Sequence, residues 1–330
     1  MKSSRLLDAS TRLLCAIVLL STVLLTDRGF AQDFPSRPIT MIVPFPGGGG
    51  ADAVPRVTLD AFSASLGQPV IIENRPGAGG TTGTNAVARA APDGYTLLLT
   101  VVPPITMNIF LQKSFPYDPR TAFVPVALTA FAPIVMVVNS SLPVNSLTEF
   151  ISYVKQNPGK LSYGSAGVGT GQHIAGELLK QRAGIDMVHV PYRGSALIIQ
   201  DMLVGSIQVG FGTPPAVSGF VAEGKLRMLA VTEANRFPDL PNLPTIDEIV
   251  PGVITNTWYG LFVPAGTPEA IVERLNHAMN VALKDAKVVS NFKLQGMLPA
   301  GGTPAEFAKL VRDDLEHWGK VIPSIGLKPQ

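Results

Sequence analysis

The chain has 330 residues, of which 46% are hydrophobic, with 26 basic and 24 acidic side chains and a single cysteine. A chain of about 300 residues exceeds what one hydrophobic core usually supports, so two lobes are expected. Because the charges are nearly balanced and form no basic stripe, we expect no nucleic-acid partner.

Residues 1–31 predict a cleaved secretory signal peptide. Three basic residues lie within the first twelve positions, and an apolar run follows from Leu13 to Leu25. Gly29 and Ala31 then place small residues at the −3 and −1 positions of a cleavage site. The apolar run is shorter than the about 20 residues that span a membrane, so an uncleaved anchor is the weaker alternative. We therefore expect the mature chain to be exported to the periplasm.

Removing this segment changes both the charge and the cysteine content. It carries four of the 26 basic and two of the 24 acidic residues, so 22 of each remain and the net charge is zero. Cys15 lies inside the apolar run, whereas a lipid-anchored cysteine would follow it. The mature chain is therefore expected to have no disulfide, cysteine nucleophile or cysteine metal site, although its compartment would permit disulfides.

Strands and helices are predicted to alternate along the mature chain. An apolar strand at residues 39–43 precedes a glycine run, and a helix is predicted from near Asp52, with Val54, Val57 and Ala61 on one face. Pro55 fits that helix if it falls in the first turn. The next predicted elements are a strand at residues 70–73, a helix at 84–90 and a strand at 95–101.

The second half of the chain continues the alternation. Ser146 and Glu149 have the spacing of a capping box, and Asn157-Pro158-Gly159 ends the helix that they begin. Four more strands are predicted at residues 161–164, 187–190, 207–211 and 226–231. Repeated βαβ units predict an α/β fold with mainly parallel sheets covered by helices.

Two helix starts near the end of the chain share one pattern. Thr267-Pro268 and Thr303-Pro304 each place a cap residue before a proline at the first helical position. Glu306 adds a capping box to the second. Both helices are therefore predicted to begin at their prolines.

The loop from Phe45 to Asp52 contains four consecutive glycines between a strand and a helix. Glycines let the backbone approach a ligand and turn several N–H groups into one hollow, and the following helix start favours an anion. Asp52 is expected to cap the helix or to contact the ligand. A P-loop would need Gly-Lys-Ser/Thr, and a dinucleotide fingerprint would need spaced glycines. A flexible turn is the alternative interpretation.

A second strand-to-helix loop runs from Tyr163 to His173, and Ser165 and Thr170 add hydroxyls to its backbone donors. A hydrolase nucleophile elbow would need glycine at the position of Tyr163. His173 is expected either to pack in the first helical turn or to contact the ligand. Its i, i+4 spacing to Glu177 supplies only two candidate ligands, too few for a metal site. Structural roles are expected for the remaining histidines, His189, His277 and His317.

Several motifs in order resemble the Bug-type periplasmic receptors of tripartite tricarboxylate transporters over the whole mature length. The segments that carry the resemblance are Pro35-Ser36-Arg37-Pro38-Ile39, Val43-Pro44-Phe45-Pro46-Gly47-Gly48, Glu73-Asn74-Arg75-Pro76-Gly77-Ala78-Gly79-Gly80, Ala91-Pro92-Asp93-Gly94-Tyr95-Thr96-Leu97-Leu98, Asn157-Pro158-Gly159-Lys160-Leu161, Tyr163-Gly164-Ser165-Ala166-Gly167, His189-Val190-Pro191-Tyr192-Arg193-Gly194-Ser195 and Pro264-Ala265-Gly266-Thr267-Pro268. The motif that begins at Glu73 is expected to set a turn and not to bind the ligand.

The resemblance implies an α/β fold of the periplasmic-binding-protein type: two-lobed, type II-like, with a Venus-flytrap motion and a ligand cleft between the lobes. Lobe 1 would comprise residues 32–132 and 256–330, and lobe 2 residues 133–255. The two crossings between them are expected near residues 132–135 and 256–261.

In this family the two glycine-containing loops face each other across the cleft and hold ligand carboxylates, and the strand end at residues 100–103 is expected as a weaker third contributor. Together with the residue analysis, this predicts ligand contacts from Phe45, Gly47, Gly48, Gly49, Asp52, Val102, Ser165, Ala166, Gly167, Gly169, Thr170, His173 and Thr213. Arg193 is a further candidate at the cleft, and a solvated loop arginine is the simpler interpretation.

The sequence departs from the family pattern at two places. Many relatives carry an acidic residue and an asparagine where this chain reads Phe211-Gly212-Thr213-Pro214-Pro215. That acid can meet a ligand amino group, so its absence favours a plain carboxylate over an amino acid. Ala51 stands where the family usually has Thr or Ser, which removes one hydroxyl.

The expected function is that of a monomeric periplasmic solute-binding receptor that delivers a small organic acid to a membrane permease. No catalytic residues, metal or cofactor are expected. A ligand sensor that engages a signalling protein is a second hypothesis, which the sequence does not separate from transport. An exported hydrolase that uses Ser165 is a third, and it lacks a motif that links the serine to a histidine base.

Overall fold

The computed structural model describes residues 34–48, 50–192, 195–327 and 329. The predicted signal peptide, Gly49 and Arg193 lie outside the described residues. Within those ranges, no helix is long and apolar enough to cross a membrane.

Strands and helices alternate along most of the chain. The strands are β1 (Ile39–Val43), β2 (Val70–Asn74), β3 (Thr96–Val101), β4 (Phe123–Phe131), β5 (Val135–Asn139), β6 (Ser162–Ser165), β7 (Val188–Pro191), β8 (Val209–Gly212), β9 (Leu226–Val231), β10 (Trp258–Pro264) and β11 (Leu298–Pro299). The helices are α1 (Gly50–Leu66), α2 (Thr81–Ala88), α3 (Leu147–Gln156), α4 (Gly171–Ala183), α5 (Ser195–Leu203), α6 (Pro214–Ala222), α7 (Glu269–Ala282), α8 (Ala286–Leu294) and α9 (Pro304–Ser324). Short helical turns cover Ala78–Gly80, Pro103–Met107 and Asn108–Phe110.

The strands form two sheets, which confirms the predicted α/β architecture. The first has the order β11-β4-β10-β3-β1-β2 and the second the order β7-β6-β8-β5-β9. All strands of the second sheet fall between β4 and β10 in sequence, so the first sheet is built from both ends of the described chain. The lobe boundaries at residues 132/133 and 255/256 stay a prediction.

Both sheets are mixed, and the prediction of mainly parallel sheets is wrong. β1 pairs in parallel with β2 and β3, and β6 pairs in parallel with β7 and β8. In contrast, β5 and β10 are antiparallel to both of their neighbours. These are the first strands after each crossing between the sheets. A strand that enters from the other sheet begins at the edge where its neighbours end, so its direction is reversed.

Helix α1 starts earlier than predicted, at Gly50, and Pro55 therefore lies beyond the first turn. Its most buried side chains are not the predicted set, since Val57 and Ala61 are only half-buried. The buried stripe has i, i+4 spacing along one face of the helix. It consists of Val54, Thr58, Phe62 and Leu66.

Of the two predicted proline starts, one is confirmed and one is wrong. Thr303 caps α9 in a complete capping box with Glu306, and Pro304 is the first helical residue. Helix α7 instead begins at Glu269, and Pro268 is its extended cap residue, with ψ of 140°. The Thr267 hydroxyl turns back to donate to the Pro264 carbonyl at 2.8 Å, so it is not available to cap the helix.

The hydrophobic core is continuous between the two sheets. One cluster of buried side chains joins Leu98 of the first sheet and the nearby Leu111 to Met136 and Tyr163 of the second sheet and Ile174 of α4. Two further clusters cover the other faces of the first and second sheets. Burial of apolar surface therefore stabilises the contact between the sheets as well as each sheet.

The two crossings are hydrogen-bonded to each other. Ala132 N–H donates to the Thr257 carbonyl at 2.9 Å, and Thr232 N–H donates to the Ile134 carbonyl at 2.9 Å. Thr255 N–H donates to the Thr232 carbonyl, and the Thr232 hydroxyl donates to the Thr255 carbonyl, both at 2.9 Å. The chain segments that link the sheets therefore form one bonded unit.

A buried carboxyl group belongs to this unit. Glu233 Oε1 accepts the N–H of Ile134 at 3.0 Å, while Oε2 is enclosed without a hydrogen-bond partner among the described residues. Burial raises the pKa of Glu233 to about 8, against the lowering effect of nearby backbone N–H groups. Ionisation of this carboxyl is therefore unfavourable in the folded protein.

We predict that Glu233→Gln stabilises the protein at high pH. A folded-state pKa above the unfolded value makes the wild type lose stability as the pH rises from about 4.5 to about 8. The glutamine keeps an acceptor for Ile134 N–H and cannot ionise, so the variant should gain on the order of 1–3 kcal/mol over the wild type at pH 9 relative to pH 5. Urea unfolding across this pH range measures the difference. Glu316→Gln, at an exposed position of α9, is the control, and parallel pH curves for all three proteins would contradict the prediction.

Candidate functional site

The predicted contact residues follow the carboxyl ends of four strands. Loops leave β1 towards α1, β3 towards the Pro103–Met107 turn, β6 towards α4 and β8 towards α6. Because β5 and β10 begin at the crossings, these ends lie at the edges where the two sheets meet. Ligands of open α/β sheets bind at such edges.

The first loop, residues 44–48 with the start of α1, is held by Asp52. This side chain is fully buried, and its carboxylate accepts hydrogen bonds from Gly48 N–H at 2.8 Å, Arg56 Nε at 2.5 Å and Asn74 Nδ2 at 2.8 Å. Burial opposes ionisation, but the three hydrogen bonds outweigh it and lower the pKa of Asp52. Asp52 lies in the first turn of α1 and does not cap its start, because the helix begins at Gly50.

Asn74 is a supporting residue that the sequence analysis assigned only to a turn. Its Nδ2 also donates to the Phe45 carbonyl at 3.0 Å, and its Oδ1 lies 3.4 Å from Arg56 Nη2. It therefore ties β2 to the beginning and the end of the first loop. The pairing of Val43 with Asn74 in the parallel β1–β2 ladder makes this reach possible. The available signal was the polar asparagine directly after the apolar strand, in the Glu73-Asn74-Arg75 motif.

Phe45 packs against the short turn at Ala78–Gly80. A Cβ atom on Gly80 would lie 2.9 Å from the Phe45 ring and 2.6 Å from Pro104. The positive φ of Gly80, 92°, and this crowding both require glycine at the position. Phe45 remains half-exposed, and Gly47 and Gly48 are exposed.

The second loop, residues 165–170, satisfies most of its own backbone donors. Ala166 N–H donates to Gln172 Oε1 at 2.7 Å, Gly167 N–H to Ser165 Oγ at 3.2 Å, and Gly169 N–H to His173 Nδ1 at 3.2 Å. Thr170 caps α4 by accepting His173 N–H at 3.3 Å. The expected row of free N–H groups is therefore largely engaged by nearby side chains.

His189, for which only a structural role was expected, lies beside Ser165. Its Nε2 is 2.7 Å from Ser165 Oγ, and its ring stacks on His173 with centroids 4.2 Å apart. Burial lowers the pKa of both imidazoles, that of His189 to about 4. Both rings are therefore neutral at neutral pH.

Tyr163 continues this stack, with its ring centroid 4.8 Å from that of His189. Its hydroxyl donates to Glu177 Oε1 at 2.6 Å, and Lys180 Nζ lies 3.0 Å from the same oxygen. Burial opposes ionisation of Glu177, but bonds from Tyr163 and Lys180 lower its pKa. The acidic and basic charges near the second loop thus neutralise each other, as Asp52 and Arg56 do near the first.

The predicted contacts divide by accessibility. Phe45, Gly47, Gly48, Ala166, Gly167, Thr170 and Thr213 are exposed or half-exposed. Asp52, Val102, Ser165, Gly169 and His173 are buried. Val102 packs in the core with 2% exposure, and its carbonyl accepts the Thr106 hydroxyl. Gly49 lies outside the described residues.

The second loop meets the other half of the protein at Gly169. A Cβ on this glycine, whose φ is 83°, would lie 2.9 Å from Leu111 Cδ1 and 3.4 Å from Asn108 Oδ1. Asn108 is buried and donates to the Gly79 carbonyl at 3.1 Å, beside the Gly80 position that packs against Phe45. Asn108 thus lies close to Gly169 and is hydrogen-bonded to the Ala78–Gly80 turn, against which Phe45 packs.

The chemistry of the site suits binding. Among residues 34–48, 50–192 and 195–327, no group of three or more His, Cys, Asp or Glu side chains is placed to hold a metal ion. The helices that follow the two loops direct their N-terminal ends towards these strand ends, which favours an anion, while the nearby charged side chains are already paired.

These features define a periplasmic binding-protein fold with two sheets and a cleft. The structure of the periplasmic binding protein BugD covers 90% of this chain and 100% of its own, with a TM-score of 0.80 and 32% identity. Residues 54–327 match the TctC model, described as a tripartite tricarboxylate transporter family receptor. The chain belongs to this receptor family.

Individual relatives match along nearly their whole length. BugT of Bordetella pertussis is 36% identical over 321 residues, which cover 96% of this chain and 98% of BugT. MatC from Rhodopseudomonas palustris, solved with malate, has a TM-score of 0.78 at 33% identity and covers 88% of this chain and 100% of its own. R. palustris Rpa4515, solved with adipate, has a TM-score of 0.83 at 35% identity, with coverage of 90% and 100%.

We predict that Asn74→Asp destabilises the protein more than Asn74→Ala. The alanine loses the bonds to Asp52 and Phe45, at a cost of roughly 1–3 kcal/mol. The aspartate places a second carboxylate against Asp52 and should cost about 1–2 kcal/mol more at pH 7, with partial recovery at pH 4.5 when the pair shares a proton. Urea unfolding at both pH values is the measurement. Glu73→Gln, in an exposed ion pair with Arg75, is the control, and an Asn74→Asp variant as stable as the wild type at pH 7 would refute the role of Asn74.

We predict that Gly169→Ala separates the two halves of the protein. The added methyl would lie 2.9 Å from Leu111 Cδ1, so one of the two groups must move, and the positive φ adds roughly 1–2 kcal/mol of backbone strain. Gly184→Ala is the matched control, because Gly184 also has a positive φ, 62°, but has open space around its Cβ position. Small-angle scattering should give a larger radius of gyration for the first variant only. Equal radii of gyration for both variants would show that the contact at Gly169 does not determine how closely the two halves of the protein approach each other.

Proposed function

We propose that this receptor captures a small organic carboxylate in the periplasm and delivers it to a membrane permease. The observation that carries the proposal is the pair of glycine-containing strand-end loops, whose neighbouring charges are already neutralised. A ligand anion there meets the N-terminal ends of α1 and α4 and no unpaired carboxylate. The adipate and malate found with two structural relatives support the same ligand class.

The end of β8 supports a ligand without an amino group. Thr213 follows this strand as the extended residue before α6, and it is half-exposed. A hydroxyl at this position offers no negative charge to a ligand ammonium group. The proposed ligand is therefore a plain mono- or dicarboxylate and not an amino acid.

We infer binding without turnover, although Ser165 and His189 are in hydrogen-bond contact. Ser165 is fully buried, and its hydroxyl also contacts the Gly167 backbone. The low pKa of His189, about 4, makes it a weak base. Among the described residues, no carboxylate is hydrogen-bonded to His189, so the third member of a triad is missing.

The proposal includes export, a monomeric state and a membrane partner. The signal-peptide pattern of residues 1–31 supports export. The membership in a transporter receptor family supports a permease as the partner. A sensor protein that reads the ligand-bound receptor is the alternative partner, and co-purification with a permease subunit or a sensor domain would separate the two.

We predict that native mass spectrometry of the protein from a periplasmic extract finds a monomer that begins near residue 32 with one small acid bound. Ligand-free protein should then be stabilised by the matching carboxylate in a thermal-shift panel of mono-, di- and tricarboxylates. At a concentration about 100 times Kd, binding to the native state alone adds roughly 2.7 kcal/mol, which raises the melting temperature by a few degrees.

Amino acids and neutral sugars in the same panel are the controls. Protein that is verified as ligand-free and shows no shift with any carboxylate would contradict the ligand class. Ester hydrolysis that disappears in Ser165→Ala would contradict the assignment as a binding protein.

A further inference from the structure

We propose that His173 and His189 are positioning residues that hold the second loop, residues 165–170, in the shape that receives the ligand. Neither imidazole is offered to the ligand, because each is engaged within its own half of the protein. This inference rests on the proposed function and assigns a mechanical role to two residues of the same site. It changes His173 from a predicted contact into a support.

His173 fixes the end of the loop. Only 4% of the residue is exposed, and its Nδ1 accepts the Gly169 N–H at 3.2 Å. An acceptor nitrogen carries no proton, so His173 is neutral with its proton on Nε2. Its backbone N–H is bonded to Thr170 Oγ1, which in turn donates to the Gly167 carbonyl at 2.8 Å. The segment 167–170 is therefore bonded to one residue of α4 through two groups.

His189 fixes the beginning of the loop. Its Nε2 lies 2.7 Å from Ser165 Oγ, which also contacts the Gly167 carbonyl at 3.1 Å and the Gly167 N–H at 3.2 Å. A hydroxyl has one proton, so either Ser165 donates to Gly167 while His189 donates to Ser165, or Ser165 donates to His189. Both arrangements hold Ser165 against β7.

The two histidine rings stack on each other, so a shift of one ring is expected to displace the other. His173 and His189 have centroids 4.2 Å apart at an interplanar angle of 26°, and Tyr163 also stacks on His189, with centroids 4.8 Å apart. The charged groups that act on this stack are Glu177 and Lys180 of α4, and they form an ion pair with each other at 3.0 Å. Within the described residues, no unpaired charge favours protonation of either ring.

The tip of the loop lies between these fixed ends. Val168 is 46% exposed, and Gly169 follows it in contact range of Leu111 and Asn108 from the other half of the protein. A shift of either support therefore displaces both the exposed tip and the point where the two halves meet. Loss of the supports should weaken ligand binding without removing a ligand contact.

Amide hydrogen exchange of the ligand-free protein tests the support at His173. Asparagine can place Oδ1 where His173 has Nδ1, whereas phenylalanine keeps a ring for stacking and has no acceptor. In His173→Phe, the peptide that spans residues 165–171 should exchange roughly three- to tenfold faster, because Gly169 N–H loses its acceptor. His173→Asn should restore most of the protection. Equal exchange in wild type and His173→Phe would overturn the proposal.

The same comparison applies to His189, where glutamine reaches the Nε2 position and phenylalanine only stacks. His189→Phe should speed exchange at Gly167, and His189→Gln should restore protection. His277→Asn, on the exposed face of α7, controls for the general loss of a histidine. A phenylalanine variant that unfolds globally would speed exchange in every peptide, and a folded asparagine or glutamine variant whose loop peptide exchanges as fast as an unprotected one would then overturn the proposal.

Binding of adipate and malate by the same variants links the loop to the ligand. We expect the affinity to fall roughly tenfold in each phenylalanine variant and to recover in the asparagine and glutamine variants. Faster loop exchange with unchanged affinity would overturn the positioning role. If neither these two acids nor a wider carboxylate panel binds the wild type, while loop exchange changes as expected, the carboxylate assignment fails and the support of the loop stands.

Discussion

The double crossing of the chain between its two sheets is the constraint on which the rest of the structure depends. Thr232 bonds to both crossings, through Ile134 on one side and Thr255 on the other. A chain that returns from the other sheet must enter at the shared edge, and so β5 and β10 begin where the parallel strands end. This arrangement brings four strand-end loops to one cleft, independently of the residues that each loop carries.

The carboxylates near the two loops are each paired with a cation in the same way. Asp52 is neutralised by Arg56, and Glu177 by Lys180, in each case within a single helix. Asp52 holds the first loop through Gly48 N–H, and Glu177 binds the Tyr163 hydroxyl beside the second loop, so neither carboxylate leaves an unpaired charge there. The proposed recognition of an anion by helix starts leaves little trace in the side chains, so the ligand class is read from the position of the loops and the pairing of the charges around them.

The sequence predicted correctly those elements whose structure depends on residues close together in the chain. Strand β1 and the capping box of Thr303 with Glu306 agree with the prediction residue by residue. The sequence did not predict the reversed direction of β10, because this direction depends on contacts between distant residues. One of them is the hydrogen bond from the Thr129 hydroxyl to the Tyr259 carbonyl, 130 positions apart. In the site, the two loops were found from their glycines. A structural role was expected for His189, but the contacts through which Asn74 and His189 support the loops were not predicted, since they join residues 22 and 24 positions apart.

The enclosed supports and exposed tip of the second loop bear on how such a receptor evolves. Ser165 and His173 are buried and bonded within their own half, whereas Val168 between them projects from the loop. A substitution at an exposed position usually changes the free energy of unfolding by less than about 0.5 kcal/mol. Substitutions at Val168 are therefore expected to leave the stability of the scaffold nearly unchanged, so this position can vary between related receptors while the buried supports are kept.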